Sequence, residues 1–512
     1  LSTITEQDNL TNKQDTYAIF LPAISSFYST YVGKQRFSNY VDTARMPAGI
    51  PDMEMLNWLN PQKGLFPYKW SLYSAGHANL DVTKHDPRED MVRNRDPNSI
   101  ILADSGGFQI AKGVWPGRWA DPTDKAAEKK REQVLNWQCS IATYGMTMDI
   151  PTWTFRDPKA AQASGIFSYD DAVNATKYNN DYWMANRHGD TKILNVLQGG
   201  NHAEADHWYE LMKDYCDPKK HARPFEGWGM GGQNMCDLHL VLKRLVNLIH
   251  DGLLEPGQHD WMHFLGTSKL EWALILTDIQ RAIRQYHNPN FTISFDCASP
   301  FLATANGQLY HTIATEHRSK WSYQMSPTAD NKKYALDSRL FGDAVKQDKI
   351  HPTFENSPIS SRLKISDICT YKPGDLNKIG KEGRTSWDSF SYALLMGHNV
   401  WMHIEAVQRA NRIYDQGSGP DMLLDPFDPL HNLRNLVDRV FASRDRKKSL
   451  TTIEENLTIW NRVIGTRGFT GKKSVNSHTQ FNALFDYCED EAITEETLNK
   501  HLLEDLENEQ GN

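Results

Sequence analysis

Short apolar runs that break at Gly, Asp or Gln recur along the chain, with longer amphipathic stretches between them. Six of these runs read as strands: Ile100–Ala103, Gly145–Asp149, Ile193–Gln198, Gly227–Met230, Met262–Leu265 and Phe291–Phe295. The stretches between them repeat at helical spacing, as in Leu238–His250, apolar at 238, 241, 242, 245, 248 and 249, and in Leu270–Tyr286. Strand and helix alternate at roughly 30 to 50 residues per unit, which predicts an α/β fold. The expected form is a TIM-type (β/α)8 barrel with insertions and a C-terminal helical extension, and a doubly wound open sheet is the alternative. The two strands still needed are expected in the first 100 residues and after Asp296.

The last third changes character. Residues 326–362 are polar, with Lys332-Lys333 and several Pro and Ser, and read as an insertion or mobile excursion. Residues 386–415 return to a helical pattern. From 416 the chain stays helical and grows acidic, ending in Glu504-Asp505-Leu506-Glu507-Asn508-Glu509, a solvated helix end. A barrel domain over 1–415, with 326–400 as its insertion, and an extension over 416–512 are therefore expected.

Composition narrows the class only in part. With 512 residues and a net charge of −8, the chain is no generally basic nucleic-acid coat, although a local basic groove can sit on an acidic protein. Its six cysteines show no C-x-x-C pair and no disulfide-framework spacing, which fits a reducing compartment. The opening residues Leu1 to Asp8 lack the regions of a signal peptide, and no stretch approaches the ~20 apolar residues that span a bilayer. A soluble, cytoplasmic protein with no membrane partner is expected.

Two carboxylates stand where apolar runs give way to small and polar residues. They are Asp104 in Ala103-Asp104-Ser105-Gly106-Gly107-Phe108-Gln109, and Asp296 in Ser294-Phe295-Asp296-Cys297-Ala298-Ser299. Barrels present their chemistry at such strand ends. Two acids at one mouth suggest glycosidic-bond chemistry, one as nucleophile and the other as proton shuttle. Each residue also has an ordinary reading. Asp104 could be a turn former or helix cap, Asp296 an inert strand end, and Gln198 and Phe108 structural. Cys297 reads as a packed small residue, and Trp115, Trp119 and Trp137 as core and surface aromatics.

The same pattern, an apolar run closing on small or polar residues, recurs in four more segments. These are Met148-Asp149-Ile150-Pro151-Thr152, Val196-Leu197-Gln198-Gly199-Gly200, Gly229-Met230-Gly231-Gly232 and His263-Phe264-Leu265-Gly266. With the two carboxylate segments they make an ordered series that resembles the tRNA-guanine transglycosylase family. The Asp296 segment, followed by Asn306-Gly307, is nearest the archaeal branch, and the likeness resumes at His398-Asn399. The resemblance implies a barrel glycosyltransferase, needing no cofactor, that exchanges a guanine in a polynucleotide for a free 7-deazaguanine through a covalent intermediate. It implies Asp296 as nucleophile and Asp104 as acid/base. Asp149, Gln198 and the backbone around Gly231 and Gly232 would grip the base edge, and Phe108 with Leu265 would sandwich its faces. Ser105 and Gly266 complete the implied substrate-binding set. Guanine leaves poorly as an anion, so fixed donors and acceptors such as Asp149 and Gln198 make chemical sense there.

Departures from the family pattern bear on the substrate. Relatives carry a C-x-C-x-x-C and His zinc site; here Asp367, Cys369 and Lys372 stand in the cysteine positions, with His398 downstream. Cys369 and His398 are read as a degenerate remnant without its metal, the alternative being a rebuilt site that recruits Asp367. The segment Pro300 to Gly307 lacks the arginines that bacterial relatives turn towards tRNA. Changes on the docking side, with the chemical side retained, point to DNA, as in the phage and bacterial DNA 7-deazaguanine transglycosylases of the DpdA type. The partners implied are DNA and a free base such as 7-cyano-7-deazaguanine, in the host cytoplasm if the chain is phage-encoded. The alternatives are a transglycosylase acting on tRNA and a non-catalytic nucleic-acid-binding subunit. Lys34, Arg36, Lys63, Lys69, Arg93 and Arg95 are candidate backbone contacts.

Overall fold

Strands β1 (Ile19–Pro22), β2 (Trp70–Ser74), β3 (Ile100–Asp104), β4 (Tyr144–Met146), β5 (Lys192–Leu197), β6 (Gly227–Met230), β7 (Trp261–Phe264) and β8 (Thr292–Cys297) form one parallel sheet. Its order is β1-β8-β7-β6-β5-β4-β3-β2 in a computed structural model that describes residues 16–38, 40–267, 269–305, 307–316, 321–373, 384–385 and 387–464. Ala23 bridges Leu72, and the Ile24 N–H donates to the Leu72 carbonyl at 2.9 Å, so the two edge strands meet. The result is a nearly closed (β/α)8 barrel with C-terminal helices, as the alternation of runs predicts. Every residue of β1, β6 and β7 is buried, because helices cover the outside and side chains fill the inside.

Leu238–His250 and Leu270–Tyr286 are helices with the expected bounds, the first capped by Asp237, whose side chain accepts from the Leu240 N–H. Both missing strands precede residue 100, which corrects the expectation of one beyond Asp296. Beyond β8 the chain forms the helix Ser299–Ala305 and an antiparallel hairpin, β9 (Gln308–Ala314) with β10 (Ser322–Pro327), outside the barrel. The helix Ser389–Asp415 then returns against β1, where His403 stacks on Phe20 at 4.2 Å.

Residues 326–362 are an insertion but no loose excursion. They carry the short helices Lys332–Leu336, Phe341–Gln347 and Ser360–Arg362, and bury Phe341, Val345, Phe354 and Ile359. Few apolar residues are present, yet these four reach the interior, with Phe354 stacked on His398 at 5.2 Å. Asn306 and the acidic end from Glu504 to Glu509 lie outside the described residues. Among the described residues no helix is long and apolar enough to cross a membrane.

The helices Leu433–Ala442 and Arg446–Glu455 continue the helical pattern past residue 416 and lie on the barrel's outer helices. Buried Asp278 accepts from the Arg434 guanidinium at 2.7 Å and from the Tyr414 hydroxyl at 2.9 Å. Burial raises the Asp278 carboxyl above its usual range, and Arg434 opposes that rise. Arg434→Met should strand a buried charge and lower unfolding free energy by about 2–4 kcal/mol at neutral pH. The deficit should shrink in acid, where Asp278 takes up a proton; denaturant unfolding at two pH values measures it.

Candidate active site

The C-terminal strand ends converge on one mouth, and the segment motifs meet there. On β8, Ser294 and Asp296 share the inner face because successive side chains alternate, and Cys297 faces outward. Cys297 is buried 3.8 Å from the His403 ring nitrogen, on the helix side and away from Asp296. It is packing and not a second nucleophile at this mouth.

One oxygen of Asp296 is held from two sides. The Gly266 N–H donates to Oδ1 at 3.0 Å, and His263 Nε2 stands 3.0 Å from the same atom. His263 is fully buried, and its Nδ1 lies 2.8 Å from the Ser294 hydroxyl, which accepts from the Trp261 indole N–H at 2.8 Å. A carboxylate only accepts, so Nε2 carries a hydrogen. Trp261, Ser294 and His263 thus form a hydrogen-bonded chain ending on Oδ1. Among the described residues Oδ2 has no hydrogen-bond partner.

Asp104 closes β3 and is part-buried. Ser74 at the end of β2 donates to its Oδ2 at 3.0 Å, and the Ser105 and Gly106 N–H groups also point to it. Burial raises its pKa, and the charge of Asp296 raises it further, so the two carboxylates sense each other. Gly106 makes this turn with a φ of 81°, which a side chain at that position resists. Ser105 is buried beside it, with a hydroxyl that has no hydrogen-bond partner among the described residues.

Asp149 follows β4 and is buried, and the Gln198 amide donates to its Oδ2 at 2.6 Å. Desolvation pushes the Asp149 carboxyl up to about 7; the Gln198 hydrogen bond lowers it, and Asp104 adds to the rise. Gly231 and Gly232 pack against that amide so closely that a Cβ would stand 2.5 Å from Gln198 Nε2 or 2.9 Å from its Oε1. Their small size therefore seats Gln198, and the Gly231 N–H is itself spent on the Leu197 carbonyl at 2.8 Å. That group is therefore engaged within the barrel, and the expected base-edge contact falls to the other backbone groups of this turn. Leu265 is part-buried at the end of β7, its N–H on the Met230 carbonyl at 3.1 Å. Phe108 stands at the rim, 45% exposed, edge-on to Trp153 at 6.1 Å with the Lys112 ammonium 5.2 Å from its ring centre.

Other expected contacts sit elsewhere. Lys69 and Arg95 precede β2 and β3, at the opposite mouth, where Arg95 donates to the Ile141 carbonyl at 2.6 Å. Arg36 pairs with Glu54 and Asp90, Arg93 with Glu89, and Lys63 with Asp52, while Lys34 lies over the Tyr40 ring. These cations tie the N-terminal segments together and make no free basic strip. Trp119 and Trp137 are core residues, and Trp115 covers the Gly106 turn.

The remnant zinc set does not fit a metal. The Cys369 thiol donates to the Ala329 carbonyl at 2.9 Å, and burial pushes it up to about 12. Both His398 nitrogens are engaged, one with the Ser357 hydroxyl at 2.9 Å and one with the Tyr310 carbonyl at 2.8 Å. Asp367 is turned to the Lys364 N–H at 2.7 Å.

His263 and Ser74 are the residues that sequence reasoning missed. His263 was visible inside its motif, two positions before Leu265, but its role depends on the facing register of Ser294. Ser74 belongs to a strand with no sequence signal.

Asp149 links stability to pH. Its carboxyl holds a proton to about 7 in the folded chain against 3.8 ordinarily, so the folded state binds more protons in that window and stability falls as pH rises through it. Asp149→Asn removes the titration and keeps the amide contact. Relative to the variant, the parent should lose on the order of 3 kcal/mol between those pH values, and parallel pH profiles would count against the assignment. No family model and no curated protein matches the chain, so the chemistry of these carboxylates rests on their geometry.

Proposed function

We propose that the protein is a base-exchanging transglycosylase that replaces guanine in DNA with a free 7-deazaguanine. The observation that carries this reading is the pairing at one mouth of Asp296, with one oxygen held by Gly266 and His263, and Asp104, whose carboxyl burial raises above its usual range. A carboxylate anchored on one oxygen presents the other to an electrophilic carbon. A carboxyl whose pKa is raised by burial suits the transfer of a proton to a poor leaving group.

In the first half-reaction, Asp296 Oδ2 bonds to the anomeric carbon and the carbon–N9 bond breaks. The departing electron pair on the base takes the Asp104 proton. In the second, the incoming base gives its N9 proton to Asp104, its nitrogen bonds to the same carbon, and Asp296 leaves as a carboxylate. Two inversions retain configuration, and the balance closes on these groups alone. Asp149, once it has lost its proton, accepts from the N1–H and exocyclic amine of either base, while Ser105 offers a buried hydroxyl and Phe108 a rim aromatic. A duplex must give up the target base by flipping, at a cost of a few kcal/mol.

Denaturing electrophoresis with guanine-containing oligonucleotides tests the reaction. A protein–DNA adduct should form, collapse when 7-cyano-7-deazaguanine is added, and vanish in Asp296→Ala. Adduct with tRNA alone moves the substrate to tRNA; binding without adduct to either makes the protein a binding subunit and defeats the proposal. His263→Ala should slow adduct formation by about 10- to 100-fold, the value of one hydrogen bond to a charged group, in quench-flow time courses. An unchanged rate would remove His263 from the machinery.

A further inference from the structure

We infer that His202, Asp237 and His239 form a binding site for a first-row transition-metal dication, zinc foremost. The inference is independent of the proposed reaction. One imidazole nitrogen of each histidine and a carboxylate oxygen of Asp237 all lie within 4.8 Å of one another. His202 opens the helix His202–Met212 after β5, Asp237 caps Leu238–His250 after β6, and His239 is the second residue of that helix. All three therefore stand on the barrel face that carries Asp104 and Asp296.

The carboxylate is aimed before any ion arrives. Asp237 Oδ1 accepts from the Leu240 N–H at 3.1 Å as a helix cap. Its Oδ2 lies 2.6 Å from His202 Nε2 and accepts from the Gln233 amide at 2.9 Å. The two imidazole rings are 4.9 Å apart, and His239 Nε2 faces Glu454 Oε1 at 3.1 Å, so the helix Arg446–Glu455 holds the His239 ring from the far side. Asp237 is buried, whereas the side chains of His202 and His239 keep 36% and 17% exposure, which gives an ion a way in.

Donor chemistry selects the ion. Two imidazoles with one carboxylate suit zinc, cobalt or nickel, whereas calcium and magnesium take oxygen donors. Zinc bonds nitrogen and oxygen at about 2.0–2.2 Å in a tetrahedron, so donors on one ion lie roughly 3.3–3.6 Å from each other. The widest separation in the cluster needs to close by about 1–1.5 Å, within reach of two part-exposed side chains. The ion replaces the hydrogen between His202 and Asp237, leaving His202 neutral with its hydrogen on Nδ1. Bound there, it joins the starts of two barrel helices, one of which meets the C-terminal helices through His239 and Glu454. Through Gln233 it also backs the turn at Gly231 and Gly232 that seats Gln198.

The test uses the untagged full chain, stripped with a chelator and desalted. Calorimetric titration with zinc should show one equivalent bound, cobalt should give visible d–d absorption, and zinc should raise the melting temperature. His202→Ala and His239→Ala should each weaken zinc at least 10- to 100-fold, while circular dichroism and metal-free melting stay as in the parent. Cys369→Ser should bind as the parent does. Absence of one-equivalent binding tighter than about 1 μM overturns the site. So does binding that survives in the double histidine variant, since the ion is then held elsewhere.

Discussion

Three carboxylates drawn into one barrel mouth set the problem that the surrounding structure solves. Charges in a partly dry site raise one another's pKa, and each needs donors fixed by the fold. Asp296 has Gly266 and His263, Asp104 has Ser74 with the Ser105 and Gly106 N–H groups, and Asp149 has Gln198. The donors come from several different strand ends or the turns after them, so no acid is satisfied by its own segment alone. Barrel closure between β1 and β2 fixes the edge on which Ser74 meets Asp104 in register, and the parallel register of β7 and β8 does the same for His263.

Behind the donors, packing does the positioning. A Cβ on Gly107 would stand 2.3 Å from the Asp149 carbonyl oxygen, so the turn after β3 can sit against the one after β4 only without a side chain. Gly231 and Gly232 allow the same closeness around Gln198. Trp261 is large enough to span the barrel interior, meeting Tyr144 at 4.8 Å, while its indole N–H starts the chain that ends at Asp296. The same aromatic therefore fills the core and helps to orient the Asp296 carboxylate.

Much of this was legible in the sequence where a segment carries its own signal. β3 to β8 are apolar runs with polar ends, and the helices Leu238–His250 and Leu270–Tyr286 repeat at the helical period over many residues. β1 has four residues and ends in Pro22, and β2 interleaves two serines with aromatics, so neither has a period to read. Residues 326–362 looked loose because composition averages over a segment, whereas their few apolar side chains find partners in space, Phe354 against His398 among them. Lys69 and Arg95 looked like phosphate contacts because charge is visible in a sequence and barrel ends are not. His263 needed the partner strand's register before its neighbours had meaning.

An acidic mouth repels the phosphates of the polymer it is proposed to act on, and the net charge of −8 adds to that. The groups that offset this at the rim are cations held against aromatic rings. Lys112 lies 5.2 Å from the centre of Phe108 and 5.4 Å from that of Trp153, and Arg156 caps Phe155 while pairing with Glu204. Such pairs hold a positive charge beside a flat apolar face, the combination that a strand with an unstacked base can use through phosphate and ring together. A duplex that keeps its bases stacked offers only its phosphates to this rim and meets the acids' field without the compensating contact. Under the proposed function, preference for unpaired or flipped guanine then follows from the charge of the mouth itself, without any residue reading the sequence around it.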